Sequence, residues 1–216
     1  MIKICLLNAE NVSEDNASAL LGYIPEERRN CISAKKNPAD RLGSLFGELL
    51  VRREIIRSFG VKNTDIRFEH GLHGKPLYIG SDNFHFSVSH TKSIIAAAFS
   101  DHPVGIDIES ADRKAYNIAK RCCTADELAF LDVSDKKDRE FIGIWTKKEA
   151  FSKLTGEGIS MDYRTFSVLS DNRITTFEHS GYFISAASEY LSEYEICICT
   201  AAEVSDHFGG RDDIFC

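Results

Sequence analysis

Hydrophobic residues recur at helical spacing in two long stretches of the chain. The first follows Asn37-Pro38, where an N-cap residue and a proline at the first helical position predict a helix start. Gly60 predicts the end of this helix. The second stretch covers residues 138–154, with Gly156 as its predicted stop. Shorter helices are predicted over residues 111–123 and at a capping box formed by Thr124-Ala125-Asp126-Glu127.

Short runs in which apolar and polar residues alternate predict the strands. They form two groups of the same order, each with one strand, then helices, then three strands. The predicted strands are residues 2–7, 65–70, 84–89 and 94–99 in the first group, and 104–109, 165–169, 182–187 and 194–200 in the second. This order predicts an α+β fold of two similar lobes, residues 1–101 and 102–216, with a weakly ordered tail from about residue 206.

The composition excludes several classes of function. With 216 residues, of which 43% are hydrophobic, the chain can bury a core without disulfide bonds. The net charge of -7 opposes binding to nucleic acid or to an anionic membrane surface. No apolar stretch is long enough to span a bilayer and the N-terminus has no signal-peptide pattern, so we expect a cytoplasmic protein, and a monomer.

Seven cysteines are scattered along the chain. They include no Cys-x-x-Cys pair and no histidines at zinc-finger spacing, which argues against a disulfide framework and against a zinc site. No adjacent base or helix N-terminus activates any of them. We expect the cysteines to be small buried hydrophobic residues.

Acidic residues mark two candidate positions for chemistry. On the strand 104–109, alternation places Asp107 and Glu109 on one face, roughly 6.6 Å apart along the strand, where they can converge on a hard cation such as Mg²⁺. On the second long helix, Glu149 and Lys153 are four residues apart and share a face. When each pattern is taken alone, two solvated acids and an ordinary helix salt bridge explain it better than a functional site does.

Candidate phosphate contacts lie at two turns. Ser89-His90-Thr91-Lys92 ends a predicted strand with a hydroxyl, an imidazole and an amine, and Gly74-Lys75-Pro76 is a turn that carries one cation. Other basic residues gather at Arg28, Arg29, Lys35, Lys36 and Arg41, and at Lys147, Lys148 and Lys153. Such clusters suit a polyphosphate ligand, and they are equally typical of solvated helix faces.

Four segments together resemble the Sfp-type 4′-phosphopantetheinyl transferases in order and spacing. They are Gly74-Lys75-Pro76, Phe86-Ser87-Val88-Ser89-His90, Val104-Gly105-Ile106-Asp107-Ile108-Glu109, and the Trp-x-x-Lys-Glu-x-x-x-Lys pattern from Trp145 to Lys153. The resemblance extends weakly from the first strand to about residue 170. It implies a pseudo-twofold enzyme of two α+β lobes, with coenzyme A and Mg²⁺ in the cleft between them. The implied reaction transfers the 4′-phosphopantetheine of coenzyme A to a serine of an apo carrier protein and releases adenosine 3′,5′-bisphosphate.

The resemblance also implies residue roles. Asp107, Glu109 and Glu149 correspond to metal ligands, Glu149 also to the acceptor of the serine proton, and Lys153 to a ligand of the coenzyme phosphates. The other implied coenzyme A contacts, besides Asp107, are Arg41, Gly74, Lys75, Pro76, Ser89, His90 and Lys148. Two points stay open. One is whether Glu149 or a metal-bound water takes the proton. The other is which residue supplements Arg41 at the 3′-phosphate, among Arg28, Arg29, Lys35 and Lys36.

Two other functions are compatible with the same residues. A catalytically idle coenzyme-A-binding protein would keep the fold, but it would not need all three carboxylates together with Lys153. A Mg²⁺-dependent hydrolase of nucleotide pyrophosphates would use water instead of a carrier serine, so a requirement for the carrier distinguishes it from a transferase. The sequence leaves open whether the carrier serves fatty-acid, polyketide or non-ribosomal peptide synthesis, and which acyl-coenzyme A variants are accepted.

Overall fold

Runs of helices and runs of strands follow one another in the computed structural model, which describes residues 1–190, 193–208 and 214–215. The helices are α1 (Glu14–Leu20), α2 (Glu26–Ser33), α3 (Pro38–Phe59), α4 (Ala119–Cys122), α5 (Ala125–Asp132), α6 (Lys137–Thr155) and α7 (Ala201–His207). The strands are β1 (Ile2–Asn8), β2 (Phe68–His70), β3 (Pro76–Tyr78), β4 (His85–Thr91), β5 (Ile94–Ser100), β6 (Gly105–Ser110), β7 (Ile174–His179), β8 (Tyr182–Ala187) and β9 (Tyr194–Thr200). The predicted α+β class is confirmed.

The strands form two main sheets and one small ribbon. The larger sheet has the order β4-β5-β1-β9, and the smaller one has the order β6-β8-β7. β2 and β3 form the separate two-stranded ribbon. β1 and β9 run parallel to each other, whereas the other pairs are antiparallel.

The two main sheets pack face to face, and each has a long helix on its other side. Alternation on β1 divides its side chains, with Ile4 and Leu6 in the core between the sheets and Leu7 in the core beneath α3. Ile106 on β6 packs into the same inter-sheet core. α3 covers β4 and β5, while α6 covers β6 and β8. The result is a helix-sheet-sheet-helix arrangement.

The predicted signals at the ends of α3 are confirmed. Asn37 is the N-cap, and its side chain accepts a 3.0 Å hydrogen bond from the Ala39 N–H. Gly60 ends the helix in the left-handed region at φ 64°. Near the helix start, Gly43 lies so close to β4 that a Cβ there would come within 2.3 Å of the His90 ring. The absence of a side chain at Gly43 therefore fixes the distance between α3 and the end of β4.

Two sequence predictions are wrong in the second half of the chain. Residues 165–169 form no strand, because the segment is anchored by buried side chains instead of a strand ladder: the Val168 N–H donates to Glu127 Oε1 at 2.9 Å. The strand that pairs with β8 is β7, which the alternation pattern did not indicate. The helix predicted over 111–123 is reduced to α4 and a preceding turn at Tyr116–Ile118. The helices α1, α2 and α7 and the strand β3 were not predicted.

The last strand returns to the first sheet. β9 pairs in parallel with β1, so the second group of predicted strands does not form one sheet by itself. The division near residue 101 stays a prediction.

Of the tail predicted to be weakly ordered, Asp206 and His207 belong to α7, and the Phe215 N–H donates to the Gly22 carbonyl at 2.9 Å. Residues 209–213 and 216 of that tail lie outside the described residues. Within the described part of the chain, no helix combines the length and the apolar character needed to cross a membrane.

Candidate active site

The acidic face of β6 lies directly beneath α6. Strict alternation buries Val104, Ile106 and Ile108 in the core, which turns Asp107 and Glu109 toward the helix. Gly105 is the first residue of β6. A Cβ at this position would lie 2.0 Å from the Ala150 carbonyl oxygen, so no side chain fits there. This close approach brings the helix face that carries Glu149 and Lys153 onto the carboxylates of β6.

Asp107 is held through one of its two oxygens. The residue is 6% exposed, and Oδ1 accepts hydrogen bonds from Ser89 Oγ at 2.7 Å and from Lys153 Nζ at 2.8 Å. Oδ2 is buried and has no hydrogen-bond partner. A buried carboxylate oxygen without a partner is costly unless a cation or a donor completes it. Asp107 is therefore suited to coordinate a cation through Oδ2.

Glu109 and Glu149 complete a group of three interacting carboxylates. Glu109 forms an ion pair with Arg113, and Glu149 shares a hydrogen bond with Tyr163. Desolvation raises the pKa of both glutamates, and the negative charge of Asp107 raises each further. Removal from water and repulsion by Asp107 therefore both act against the charged forms of the two glutamates.

The three carboxylates suit a hard divalent cation by their chemistry, since all their donor atoms are oxygens. The carboxylate oxygens of the three residues do not all lie close to one point, however. Among the described residues, the single trio of His, Cys, Asp or Glu with all ligand atoms within 4.8 Å of one another is Cys5, Cys197 and Cys199. Lys153 and Arg113 provide the positive charge at Asp107 and Glu109. A shared cation would require the carboxylates to move closer together.

A cavity of about 390 Å³ adjoins this group. It lies between α3, β4, the turn at residues 73–76 and the C-terminal end of α6, and Lys153 is part of its wall. The residues implied by the resemblance that line it are Gly74, Lys75, Pro76, His90 and Lys153. Phe68 and Phe86 add apolar surface. The cavity therefore combines cationic and aromatic groups, which suits a phosphorylated nucleotide.

Lys75 lies in the cavity wall and joins the first half of the chain to the second by hydrogen bonds. Its Nζ donates hydrogen bonds to the Val104 carbonyl at 2.9 Å and to the Lys153 carbonyl at 2.6 Å. Desolvation, together with the positive charge of Lys153, lowers the pKa of Lys75 to about 8. Burial likewise lowers the pKa of His90, whose ring packs against Gly43. An anionic ligand would favour the charged form of both side chains.

Two implied contacts lie away from this cavity. Arg41 lines a second pocket of about 280 Å³ among α1, α2 and α3, and its guanidinium donates to the Lys35 carbonyl at 3.0 Å. Its role at the 3′-phosphate stays a prediction. Of the four basic residues left open by the sequence, Arg28 lines the larger cavity. Ser89 is buried and donates a hydrogen bond to Asp107, and it does not line the cavity.

The expectation that Lys148 contacts coenzyme A is wrong. Its side chain is 0% exposed, and its ammonium pairs with Glu127 at 2.9 Å. It also donates to the backbone carbonyls of Tyr163, at 2.7 Å, and Phe166, at 2.5 Å. Because these three acceptors match the three donors of an ammonium, Lys148 has a structural role.

Two residues at the site were missed by sequence reasoning. Ser87 Oγ accepts a 3.1 Å hydrogen bond from the Ile106 N–H and so joins the two sheets beside Asp107. Tyr163 lies against Glu149. Alternation along β4 indicates that Ser87 shares a face with Ser89, but not that this face meets β6. Tyr163 follows a predicted helix and carries no local signal.

Comparisons with known proteins agree with the resemblance found in the sequence. Residues 103–199 match the 4′-phosphopantetheinyl transferase superfamily, and residues 11–102 match the N-terminal part of 4′-phosphopantetheinyl transferase. The 4′-phosphopantetheinyl transferase Sfp of Bacillus subtilis (strain 168) is 30% identical over 197 residues, 88% of each chain. The transferase psf-1 of Bacillus pumilus is 30% identical over 209 residues, 92% of this chain and 90% of that protein. The transferase gsp of Aneurinibacillus migulanus is 31% identical over 160 residues, 73% of this chain and 62% of that protein.

Proposed function

Since the chain belongs to the 4′-phosphopantetheinyl transferase superfamily and is an enzyme of that class, we propose how its own residues carry out the transfer. The enzyme moves the 4′-phosphopantetheine of coenzyme A to a serine of an apo carrier protein, with Mg²⁺ required and adenosine 3′,5′-bisphosphate as the second product. The resemblance and the enzyme class inferred from the sequence are confirmed. The metal, the second product and the residue roles are the proposal.

The place of Lys153 is the observation that carries this proposal. The side chain lines the cavity that suits a phosphorylated nucleotide, and it also forms the ion pair with Asp107. A pyrophosphate that extends from the cavity toward β6 therefore meets Lys153 first and the carboxylates next. Coenzyme A has such a pyrophosphate between its nucleotide and its pantetheine arm.

Binding and orientation fall to the cavity residues. Lys75, His90 and Lys153 provide positive or hydrogen-bonding groups to the phosphates, and Phe68 and Phe86 provide apolar surface. Lys75 is itself fixed by two backbone carbonyls, so it is positioned before the ligand arrives. Such preorganisation supports a binding mode in which the pantetheine-side phosphorus lies near α6.

Asp107, Glu109 and Glu149 would hold the Mg²⁺. The partnerless Oδ2 of Asp107 and the all-oxygen donor set both fit this ion. When bound, Mg²⁺ supplies positive charge to the pyrophosphate oxygens, where negative charge builds up during transfer. Lys153 exchanges its ion pair with Asp107 for a phosphate oxygen and adds to that charge.

The transfer itself exchanges one P–O bond for another. The carrier serine oxygen attacks the pantetheine-side phosphorus, and the bond from that phosphorus to the bridging oxygen breaks. The electron pair leaves with adenosine 3′,5′-bisphosphate. Glu149, one helical turn before Lys153, accepts the serine proton.

The location and assembly of the protein stay predictions from the sequence, namely a cytoplasmic monomer. Carrier proteins of fatty-acid, polyketide and non-ribosomal peptide synthesis all present a serine to such an enzyme. A panel of apo acyl, peptidyl and aryl carriers therefore belongs in the test.

Intact-mass measurement of the carrier tests the proposal. The enzyme is incubated with coenzyme A and Mg²⁺ and with each apo carrier, and parallel samples contain a chelator or a carrier whose serine is replaced by alanine. We expect one added phosphopantetheine only with the intact serine and with Mg²⁺. Equal transfer in chelator would remove the metal from the proposal, and free phosphopantetheine formed without any carrier would indicate a hydrolase.

A further inference from the structure

Three cysteines meet where the last strand of the chain returns to the first. In the parallel pairing of β1 and β9, Cys5 lies opposite Cys197, and Cys199 follows two residues later on the same face of β9. The three Sγ atoms all lie within 4.8 Å of one another, and those of Cys197 and Cys199 are 3.8 Å apart. The cluster shares no residue with the acidic group on β6.

The spacing of the sulfur atoms is typical of a metal site. A Zn–S bond of about 2.3 Å in tetrahedral geometry separates two sulfur ligands by about 3.8 Å. A disulfide bond requires about 2.05 Å, and Cys197 and Cys199 are far from that distance. We propose that Cys5, Cys197 and Cys199 bind one thiophilic divalent cation of the Zn²⁺ class through three sulfur ligands. The fourth position faces solvent at the open edge of β9, the last strand of its sheet.

Two cationic side chains lie near the cluster. Arg53 on α3 interacts with Cys199, and the positive charge of Lys3 acts on Cys5 and Cys197. Three thiolates around a divalent cation carry a net negative charge, which these two side chains partly balance.

Burial fits a three-ligand site that is open to solvent on one side. Cys5 and Cys199 are each 4% exposed, whereas Cys197 is partly exposed and gives access from solvent. Sulfur donors select soft cations, while the carboxylates of the candidate active site select hard ones. The two sites therefore take different metals, and the inference does not depend on the proposed transfer reaction.

The cation would fasten the end of the chain to its beginning. Cys5 lies in β1, whereas Cys197 and Cys199 lie in β9, immediately before α7. A metal that binds only the folded arrangement stabilises it by mass action. We expect its removal to loosen the pairing of β9 with β1 and the packing of α7.

Co²⁺ replacement gives a signal that only sulfur ligands produce. The full-length protein is reduced with a phosphine, treated with chelator and titrated with Co²⁺ in the presence of saturating Mg²⁺, which occupies carboxylate sites. We expect thiolate-to-cobalt charge-transfer absorption that saturates at one Co²⁺ per chain and disappears when Zn²⁺ is added. The absence of this charge-transfer band in the wild type would by itself overturn the proposal.

Serine variants locate the site. In Cys197→Ser, which changes the least buried ligand, Zn²⁺ affinity should fall by more than the roughly 10–100-fold that loss of an outer-shell partner causes. The increase in melting temperature that Zn²⁺ gives the wild type should disappear with it. Cys31→Ser is the matched control, because Cys31 is exposed on α2 and outside the cluster. Equal Zn²⁺ affinity in the wild type and Cys197→Ser, or an equal loss in Cys31→Ser, would contradict the assignment.

Discussion

Lys153 Nζ on α6 lies 2.8 Å from Asp107 Oδ1 on β6. The two residues are 46 positions apart in sequence, and Gly105 makes the contact possible because α6 rests on the backbone of β6 at that point. Lys153 also lines the cavity, so the cavity and the acidic group share this side chain. A ligand phosphate that attracts Lys153 would at the same time free Asp107 for a cation.

Glu149→Gln separates metal binding from proton transfer. The change keeps the shape of the side chain but removes its negative charge, so we expect the transfer rate to fall by about 10²–10⁴-fold. The rate is measured over a series of Mg²⁺ concentrations. Recovery to the wild-type rate at high Mg²⁺ would assign Glu149 to the metal alone, while a loss that persists supports a part in proton removal. A normal rate at low Mg²⁺ would exclude both roles.

The affinity for coenzyme A should decrease as the pH rises through about 8. The pKa of Lys75 is lowered to about 8 by burial and by Lys153, so its ammonium is lost above that pH unless a phosphate holds the proton. Calorimetric titrations between pH 7 and pH 9 measure the slope. Lys75→Arg keeps the charge and should flatten the slope, whereas Lys120→Arg, at an exposed position outside the cavity, should leave it unchanged. An unchanged slope in Lys75→Arg would show that another group titrates.

The same shift predicts a pH dependence of stability in the ligand-free protein. Because the folded pKa of Lys75, about 8, lies below the ordinary lysine value of 10.5, the unfolded chain binds more protons between these two pH values. The contribution of Lys75 to the free energy of unfolding should therefore rise with pH from about 8 upward. Urea unfolding of the wild type and Lys75→Met at several pH values measures this contribution. The free energy of unfolding of the wild type minus that of Lys75→Met should increase as the pH rises from about 8.

Two arginines compete for the 3′-phosphate of coenzyme A. Arg28 lines the cavity, whereas Arg41 lines the second pocket and donates to the carbonyls of Lys35 and Lys36. We expect Arg41→Ala to weaken binding of coenzyme A more than binding of 3′-dephospho-coenzyme A, as the family resemblance implies. Arg28→Ala should show the same selectivity if Arg28, which lines the cavity, supplements Arg41. Equal weakening of the two ligands by Arg41→Ala would show that Arg41 acts elsewhere.

Loss of Lys148 should cost stability rather than binding. Lys148→Met leaves the carboxylate of Glu127 buried without its cation, which we expect to destabilise the fold by about 3–5 kcal/mol. Urea unfolding measures the change, with Lys147→Met at the adjacent, less buried position as the control. Combining Lys148→Met with Glu127→Gln should recover part of the loss. Unchanged stability in the single variant would show that the buried ion pair is not essential.

Features encoded by neighbouring residues could be predicted from the sequence. The caps at Asn37, Gly60 and Gly156 and the alternation of β6 involve residues only a few positions apart, and they correctly locate α3, α6 and the acidic face. The position of Lys148 was also readable in principle. It shares a helix face with Ile144 and Phe151, both buried, whereas Glu149 lies on the next face.

Features that depend on distant pairing could not be predicted in this way. The cysteine cluster exists because β9 pairs with β1 across almost the whole chain, and the spacing of the cysteines in sequence carries no trace of that pairing. Residues 165–169 alternate like a strand, but their backbone groups are satisfied by Glu127 and Lys148, which only the packed structure reveals.

The central claim is that Asp107 holds a Mg²⁺ that the transfer requires, and Asp107→Asn tests it most directly. The variant keeps the shape of the side chain, and Ser89→Ala is the control that removes only a hydrogen bond to the same carboxylate. The intact mass of an apo carrier is followed over time at increasing Mg²⁺. We expect Asp107→Asn to stay folded, to lose about 10²–10³-fold in rate at ordinary Mg²⁺, and to lose far more than Ser89→Ala. Full transfer by Asp107→Asn at ordinary Mg²⁺ would contradict the account.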